Sequence, residues 1–428
     1  MFVVIRNSWA LLLGVMLLMV GNGMQGTLLG VRGGIEGFGT GSISVVMSAY
    51  FAGFLLGSQI VPKLIQRVGH VRVFAALGSF ASAGLIMFPA LVDPWTWTVL
   101  RLALGFCFCG IYIVAESWLN NTTTNETRGR ALSLYLIAQM VGVVAAQGFF
   151  ALGDASGYGL FVLVSVLVSL SFAPILLSAT PVPPFETAKP MSFAEIFRVS
   201  PLGCVGIFLL GGVFSALFGM AGVFGAAAEL TGSQIALFVS AIYTGGMVIQ
   251  YPMGWASDRF DRRKLVIGGA IAGALGCLLG FVDFGGFPAL LVAGFLVGGM
   301  ANPLYSILLA YTNDYLMPED MAAASARLLF INGLGAIGGP LVTGWLMGLV
   351  GPGGFFLFLG TLLVALAGYA AWRMMRNPEG VADESAGYVA VSPLATTYVT
   401  LGTVVEEWEE GWEAAQTEDE EGETDKAA

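Results

Sequence analysis

The chain has 428 residues, 57% of them hydrophobic and 11% charged, with a mean hydropathy of +0.82. A soluble domain carries about 25% charged residues, so collagen, coiled coil, disorder and a wet globule are excluded for the body, and a polytopic membrane protein remains. The net charge of −10 divides unevenly: from Glu379 onward stand 14 acidic residues and one lysine, whereas the preceding 378 residues carry 17 Lys and Arg against 14 Asp and Glu. The acidity belongs to the tail, and the mildly basic body lacks the dense basic face that nucleic-acid binding needs.

Cutting at charged and Gly/Pro/Asn-rich breaks predicts twelve transmembrane helices, at 8–30, 42–61, 72–92, 95–119, 131–152, 158–178, 202–226, 234–254, 265–282, 287–312, 326–349 and 354–375. A bilayer crossing takes about 20 mainly apolar residues. The first run exceeds the roughly 7–15 apolar residues of a signal peptide and no small-residue cleavage site follows, so it is read as a helix. Between the sixth and seventh spans, Pro181, Pro183, Pro184 and Pro190 mark a linker. There Ser192-Phe-Ala-Glu195 has capping-box spacing, which predicts a short helix, carrying Phe193, Ile196 and Phe197, on the inner membrane face. The fold class is therefore an all-α membrane protein of twelve transmembrane helices in two pseudo-symmetric six-helix bundles. The expected domains are 1–178 and 201–376, the two bundles; 179–200, a cytoplasmic linker; and 377–428, an acidic cytoplasmic tail without fixed structure.

The positive charges test this layout independently, because Lys and Arg collect on the cytoplasmic side. With the N-terminus inside, the inner side holds Arg6, Lys63, Arg67, Arg72, Arg128, Arg130, Lys189, Arg198, Arg259, Arg262, Arg263, Lys264, Arg327, Arg373 and Arg376. Only Arg32 falls in an outer loop, while Arg101 lies within a span. An odd number of spans would scramble this segregation, so both termini are expected in the cytoplasm. Cys107, Cys109, Cys204 and Cys277 sit in apolar runs and read as small buried hydrophobes; no metal site and no cofactor is indicated.

The halves carry weak internal matches. Gly23-Met-Gln-Gly26 recurs as Gly219-Met-Ala-Gly222, and Arg67-Val-Gly69-His70-Val-Arg72 as Arg259-Phe-Asp261-Arg262-Arg263-Lys264. Gly105 and Gly110 stand beside Gly294 and Gly299 at an offset near 189, so the offsets shrink along the chain. Two parallel six-helix halves form one recurring transporter design.

Gly254-Trp-Ala-Ser-Asp258-Arg259-Phe-Asp261-Arg262-Arg263 resembles the loop motif G-x-x-x-D-R-x-G-R-R of the major facilitator superfamily, with Asp261 in place of its glycine. The first-half copy departs further, with Pro62 for the glycine and Gln66 for the aspartate. Arg67 to Ala75, Glu116-Ser-Trp-Leu-Asn120, Arg128-Gly-Arg130 and Gly335-Ala-Ile-Gly-Gly-Pro340 resemble the YcaD-type bacterial branch. The resemblance covers roughly residues 5–376. It implies secondary transport by a multi-pass protein of the plasma membrane (the bacterial inner membrane), expected to be a monomer. Gly142-Val-Val-Ala-Ala-Gln147-Gly148 lacks the Gly-Pro pair of drug–proton antiporters, which weighs against drug efflux.

Arg101 sits about six residues inside the outer boundary, roughly 9 Å deep. Arg101-x-x-x-Gly105 resembles the superfamily motif whose arginine is tied to coupling; the alternative is an arginine reaching outward to water. Glu116, one turn inside the cytoplasmic end, reads either as a proton carrier or as a gate pairing with Arg67, Arg128 or Arg130. With Arg72, these arginines and the Asp258, Arg259 and Arg262 cluster form the candidate cytoplasmic gate, with topology or helix capping as its alternative. Uncharged polar residues at mid-membrane depth are the substrate candidates: Gln25, Tyr112, Gln139, Tyr243, Asn302, Tyr305 and Asn332. Such a lining suits a small, moderately polar organic solute better than a phosphate or dicarboxylate. The chain has no P-loop, so energy is expected from a solute or proton gradient. Val404, Val405, Trp408 and Trp412 among acidic residues leave open a partner-docking helix in the tail, and with it a non-transporting sensor. A membrane enzyme would need a His, Asp or Cys cluster, and the sole histidine, His70, lies in a loop.

Overall fold

A computed structural model of the chain describes residues 2–121, 125–176, 191–282 and 285–376. The proline-rich part of the linker, the acidic tail and the side chains of Arg6, Arg128 and Arg130 lie outside the described residues. Within them are thirteen helices and no strand: α1 (Phe2–Ile35), α2 (Thr40–Val68), α3 (His70–Met87), α4 (Pro94–Asn121), α5 (Asn125–Leu152), α6 (Gly159–Leu176), α7 (Phe193–Val199), α8 (Pro201–Ala227), α9 (Gly232–Ser257), α10 (Arg262–Val282), α11 (Gly286–Asn313), α12 (Pro318–Val350) and α13 (Gly354–Arg376). Eleven are long and apolar enough to cross a membrane, and α6 is the shorter twelfth. A lipid environment leaves backbone groups no partner but the helix's own, which is why apolar runs of this length fold so. Several helices outrun the predicted spans, because helical bonding continues past the apolar run; α12 starts on Pro318, where a missing N–H costs nothing.

The short helix α7 is present with its capping box: the Glu195 amide donates to Ser192 Oγ at 3.3 Å, and the Ser192 amide donates to the Glu195 carboxylate at 2.7 Å. Hydrogen bonds from the Ser192 amide and then its hydroxyl hold the exposed Glu195 carboxyl below its usual range. Phe193 rests against Phe330 of α12, under the Arg327 guanidinium, so α7 is seated on the second bundle. Gly69, at φ +87°, alone links α2 to α3, a left-handed turn that glycine adopts without strain.

The bundles repeat one packing plan. In the first, α2 packs on α4, α1 on α5 and α6, and α3 on α4 and α6; in the second, α9 packs on α11, α8 on α12 and α13, and α10 on α11 and α13. Close approach of backbones at glycine sets the register. A Cβ on Gly105 would stand 1.9 Å from the Tyr50 carbonyl oxygen, and one on Gly298 would stand 2.2 Å from that of Ile242. Gly105 therefore corresponds to Gly298, not to Gly294, and the expected offset near 189 and the steady shrinkage are corrected to 193 at this point. Arg101 then corresponds to Gly294, so the second bundle has no copy of the buried arginine.

The bundles meet through α1 with α8, α2 with α12 and α5 with α9. Gly26 and Gly222, the second glycines of the motif matched between the halves, lie at the first crossing, and Gly30 one turn on from Gly26 joins them. A Cβ on Gly30 would come within 2.7 Å of the Val223 amide nitrogen, and one on Gly222 within 2.9 Å of Thr27 Cα. On α2 and α12, a Cβ on Gly344 would come within 2.4 Å of Ser44 Cβ and 2.9 Å of the Thr40 carbonyl oxygen, while one on Gly348 would make ordinary contact with Thr40 Oγ1. These contacts lie at the end remote from the Arg- and Lys-rich connections. Arg32 is in the last turn of α1 rather than in a loop, paired with Glu36 at 2.6 Å and donating to the carbonyls of Ala155 and Ser156.

Candidate functional site

Seven helices, drawn from both bundles, surround a chamber of about 80 Å³. α1 supplies Asn22 and Gln25, α2 Tyr50 and Phe51, α4 Arg101 and α5 Gln139. The second bundle supplies Phe218 from α8, Tyr243 from α9 and Asn302 from α11. A buried water occupies about 10–15 Å³ on this scale, so the chamber holds a few waters' worth of space and no drug-sized solute.

Arg101 is 3% exposed and turned inward, away from the membrane boundary to which an arginine reaching for water would extend. Its Nη1 donates to Gln25 Oε1 at 3.1 Å, its Nη2 to Met47 Sδ at 3.5 Å, and its guanidinium lies 4.6 Å from the centre of the Tyr50 ring. Taking a cation out of water costs several kcal/mol, and a desolvated cation–π contact returns about 2, so neutral partners compensate it only in part.

Asn22, a residue the sequence reading did not single out, joins this group. Its Nδ2 donates to Tyr112 Oη at 2.6 Å, and its Oδ1 accepts from Tyr50 Oη at 3.2 Å and from Gln25 Nε2. The spacing of three to Gln25 puts both on one helix face, a signal the sequence did carry. Tyr112 thus stands behind Asn22 rather than on the chamber wall. Tyr243 stacks on Phe218, with ring centroids 4.9 Å apart. Tyr305 is buried edge-on against Phe214, away from the chamber. The Asn332 amide donates to the Ile207 carbonyl at 3.3 Å and borders an adjoining void of about 30 Å³. Of the seven candidates, Gln25, Gln139, Tyr243 and Asn302 come together; Tyr112, Tyr305 and Asn332 support them from behind or beside.

Glu116 is 1% exposed and accepts a hydrogen bond from Tyr135 Oη at 3.2 Å. Tyr135 also hydrogen-bonds Gln139, so a line of polar groups runs from the chamber wall to Glu116. Arg101 and Glu116 are fifteen residues apart on one helix, about 22 Å along its axis, and do not pair directly.

At the basic end, Arg67, Arg72, Asp258 and Arg259 are exposed, and the Arg259 guanidinium lies 4.5 Å from the Trp255 ring centre. Arg262 is buried, donates to Ser257 Oγ at 3.2 Å and pairs with Asp314 at the end of α11. Arg263 pairs with Asp261 at 3.0 Å. Burial raises the Asp261 pKa, but the hydrogen bonds from the Arg263 side chain and amide outweigh it and the net shift is downward. The Arg262–Asp314 pair ties α10 to the end of α11 within the second bundle, whereas Asp261–Arg263 is local to the start of α10. Among the described residues no group of three His, Cys, Asp or Glu is placed to hold a metal ion.

Comparison with known proteins accords with this architecture. The major facilitator superfamily model matches residues 11–232 and again 203–408. An uncharacterised MFS-type transporter of Enterobacter sp. is 26% identical over 344 residues, covering 80% of this chain and 89% of its own. The uncharacterised MFS-type transporter YcaD of Escherichia fergusonii is 25% identical over the same shares. Among solved structures, a mutant of the nucleoside transporter NupG superposes with a TM-score of 0.74 at 15% identity, covering 86% of this chain and 99% of its own. A bacterial homologue of the lysosomal transporter Spinster, in an inward-facing and unoccupied conformation, gives 0.64 at 15% identity over 94% and 98%. With both halves matched by the family model and the fold shared, the chain belongs to the Major Facilitator Superfamily of membrane transporters.

Proposed function

We propose that the protein is a secondary active transporter of the bacterial inner membrane, moving a small organic solute by alternating access and coupled to protons. The observation that carries this reading is the chamber itself. Its wall is divided between two bundles that touch through glycine crossings at one end, so a rocking motion about it changes which side it faces. Taking the basic end as cytoplasmic, with both termini there, the crossings lie on the outer side. The lining of amides, tyrosines and one arginine orients a solute of modest polarity, and Met19, Met140 and Phe218 cover its apolar part.

Coupling is assigned to Arg101 at the chamber and to Glu116 at the far end of the Gln139–Tyr135 line. Glu116, 1% exposed and held by the Tyr135 hydroxyl at the end of that polar line, is the carboxyl to which proton uptake is assigned, as one way of linking solute and gradient. The arginines at the basic end, with Asp258, act as a gate in this scheme. The unit is a monomer in the lipid bilayer.

The test is flux in proteoliposomes holding the purified full chain, with an imposed pH gradient and a panel of radiolabelled solutes. Gradient-dependent movement of at least one solute, uncoupled in Glu116→Gln, is expected. A Glu116→Gln variant with full gradient-driven flux removes that residue from coupling, and no flux for any solute overturns the transport reading. Deleting 379–428 leaves flux in place on this account; a sensor signalling through its tail would have none to lose.

A further inference from the structure

The buried Arg101 has no carboxylate partner among the described residues. A guanidinium offers five N–H donors in a fixed fork. Here one is taken by the neutral Gln25 amide, one faces the Met47 sulfur, and Nε is buried without any acceptor. Nε and Nη2 form the side-on edge that grips a carboxylate with two parallel hydrogen bonds. That edge has a thioether, a weak acceptor, as its one partner.

The surroundings agree. The chamber wall contains Asn22, Gln25, Gln139 and Asn302, all amides, with the hydroxyls of Tyr50 and Tyr243, and no Asp, Glu, Lys or second Arg. The packing equivalent of Arg101 in the other bundle is Gly294, so the fold can be built without a cation at this place. The chamber therefore carries one positive charge that its walls do not cancel.

Resting on the transport reading above, we infer that the solute is a small organic monoanion of the carboxylate class, its single negative charge seated on Arg101. A cation would meet like charge. A dianion would bring a second charge with no partner. A neutral solute would leave the arginine as it stands. The asymmetry also gives the solute a polarity in the chamber, with the carboxylate toward α4 and the carbon skeleton toward Phe218 and Met140.

Binding is measured on the unmodified full chain in detergent, by thermal shift and titration calorimetry at fixed ionic strength. The probes are matched pairs: acetate and acetamide, lactate and lactamide, benzoate and benzamide. At least one acid is expected to bind saturably and tenfold or more tighter than its amide. Arg101→Gln is expected to abolish that preference and Arg101→Lys to retain part of it. Equal binding of acid and amide overturns the inference, as does an acid preference surviving in a folded Arg101→Gln protein, or no saturable binding by any acid. The first comparison needs no variant and stands even if Arg101→Gln does not fold. Flux is scored separately: acid-selective binding without transport keeps the charge assignment and removes the transport reading, whereas transport of amides and acids alike does the reverse.

Discussion

The α1–α8 crossing offers a way to push the two bundles apart by one methyl group. A Cβ on Gly30 would meet the Val223 amide nitrogen at 2.7 Å and the Gly222 carbonyl carbon at 2.9 Å. Both are backbone atoms on the opposite bundle, so no rotamer change relieves the clash. Overpacking of this kind costs about 1–3 kcal/mol. The cost falls only on the state in which the bundles touch here, so Gly30→Ala should shift the population toward the state open at this end by about 5- to 150-fold. The assay is the rate at which a membrane-impermeant maleimide, added on the side away from the basic end, labels Phe218→Cys on the chamber wall. The rate should rise by a factor in that range in Gly30→Ala. It should stay within about twofold in Gly41→Ala, where an added Cβ meets nothing within 4 Å. Unchanged labelling in Gly30→Ala, or faster labelling from the basic side, would refute the rocking argument.

Two further outcomes concern the basic end. Asp314→Leu removes the carboxylate paired with the buried Arg262 guanidinium, and breaking such a pair costs about 3–5 kcal/mol; urea unfolding in detergent should show a loss near the lower figure, since the Ser257 hydroxyl still accepts from Arg262, and a change under about 1 kcal/mol would mean the pair is idle. The Asp261 carboxyl, held below its usual range in the folded protein, stabilises when ionised. Its contribution is complete above the unfolded value near pH 4 and is lost as pH falls through the lower folded value. The melting-temperature gap between wild type and Asp261→Asn should therefore be full at neutral pH and close below about pH 4; a gap that widens on acidification contradicts the sign.

The sequence made the membrane body legible because the bilayer enforces long apolar runs, and the arginine segregation fixed their parity. It was less able to say where each helix turns its polar side. Gln25, Gln139, Tyr243 and Asn302 do meet in the chamber, but Tyr305, one turn beyond Asn302, leans onto Phe214, and the Asn332 amide is tied back to Ile207. Polarity in an apolar run marks the helix; rotation about its axis is set by packing that a single run does not record. The repeat was visible, yet it was aligned on Gly294, and only the backbone contact at Ile242 moved the register one turn on, to Gly298. Asn22 was hidden between two glycines that read as packing residues, although its spacing to Gln25 was informative. The Arg262 partner, Asp314, lies 52 positions away and no local motif points to it.

The central claim, that the bundles must separate at the glycine crossings for solute to pass, is tested most directly by tying them together. On α2 and α12, a Cβ at Gly348 would lie 3.4 Å from Thr40 Oγ1, the atom that the sulfur of Thr40→Cys replaces, which places the two positions within reach of a disulfide. The native cysteines are buried and free. Thr40→Cys/Gly348→Cys, oxidised in proteoliposomes, should lose solute flux and recover it on reduction, while each single variant transports throughout. Full flux through the fully cross-linked protein would contradict the account.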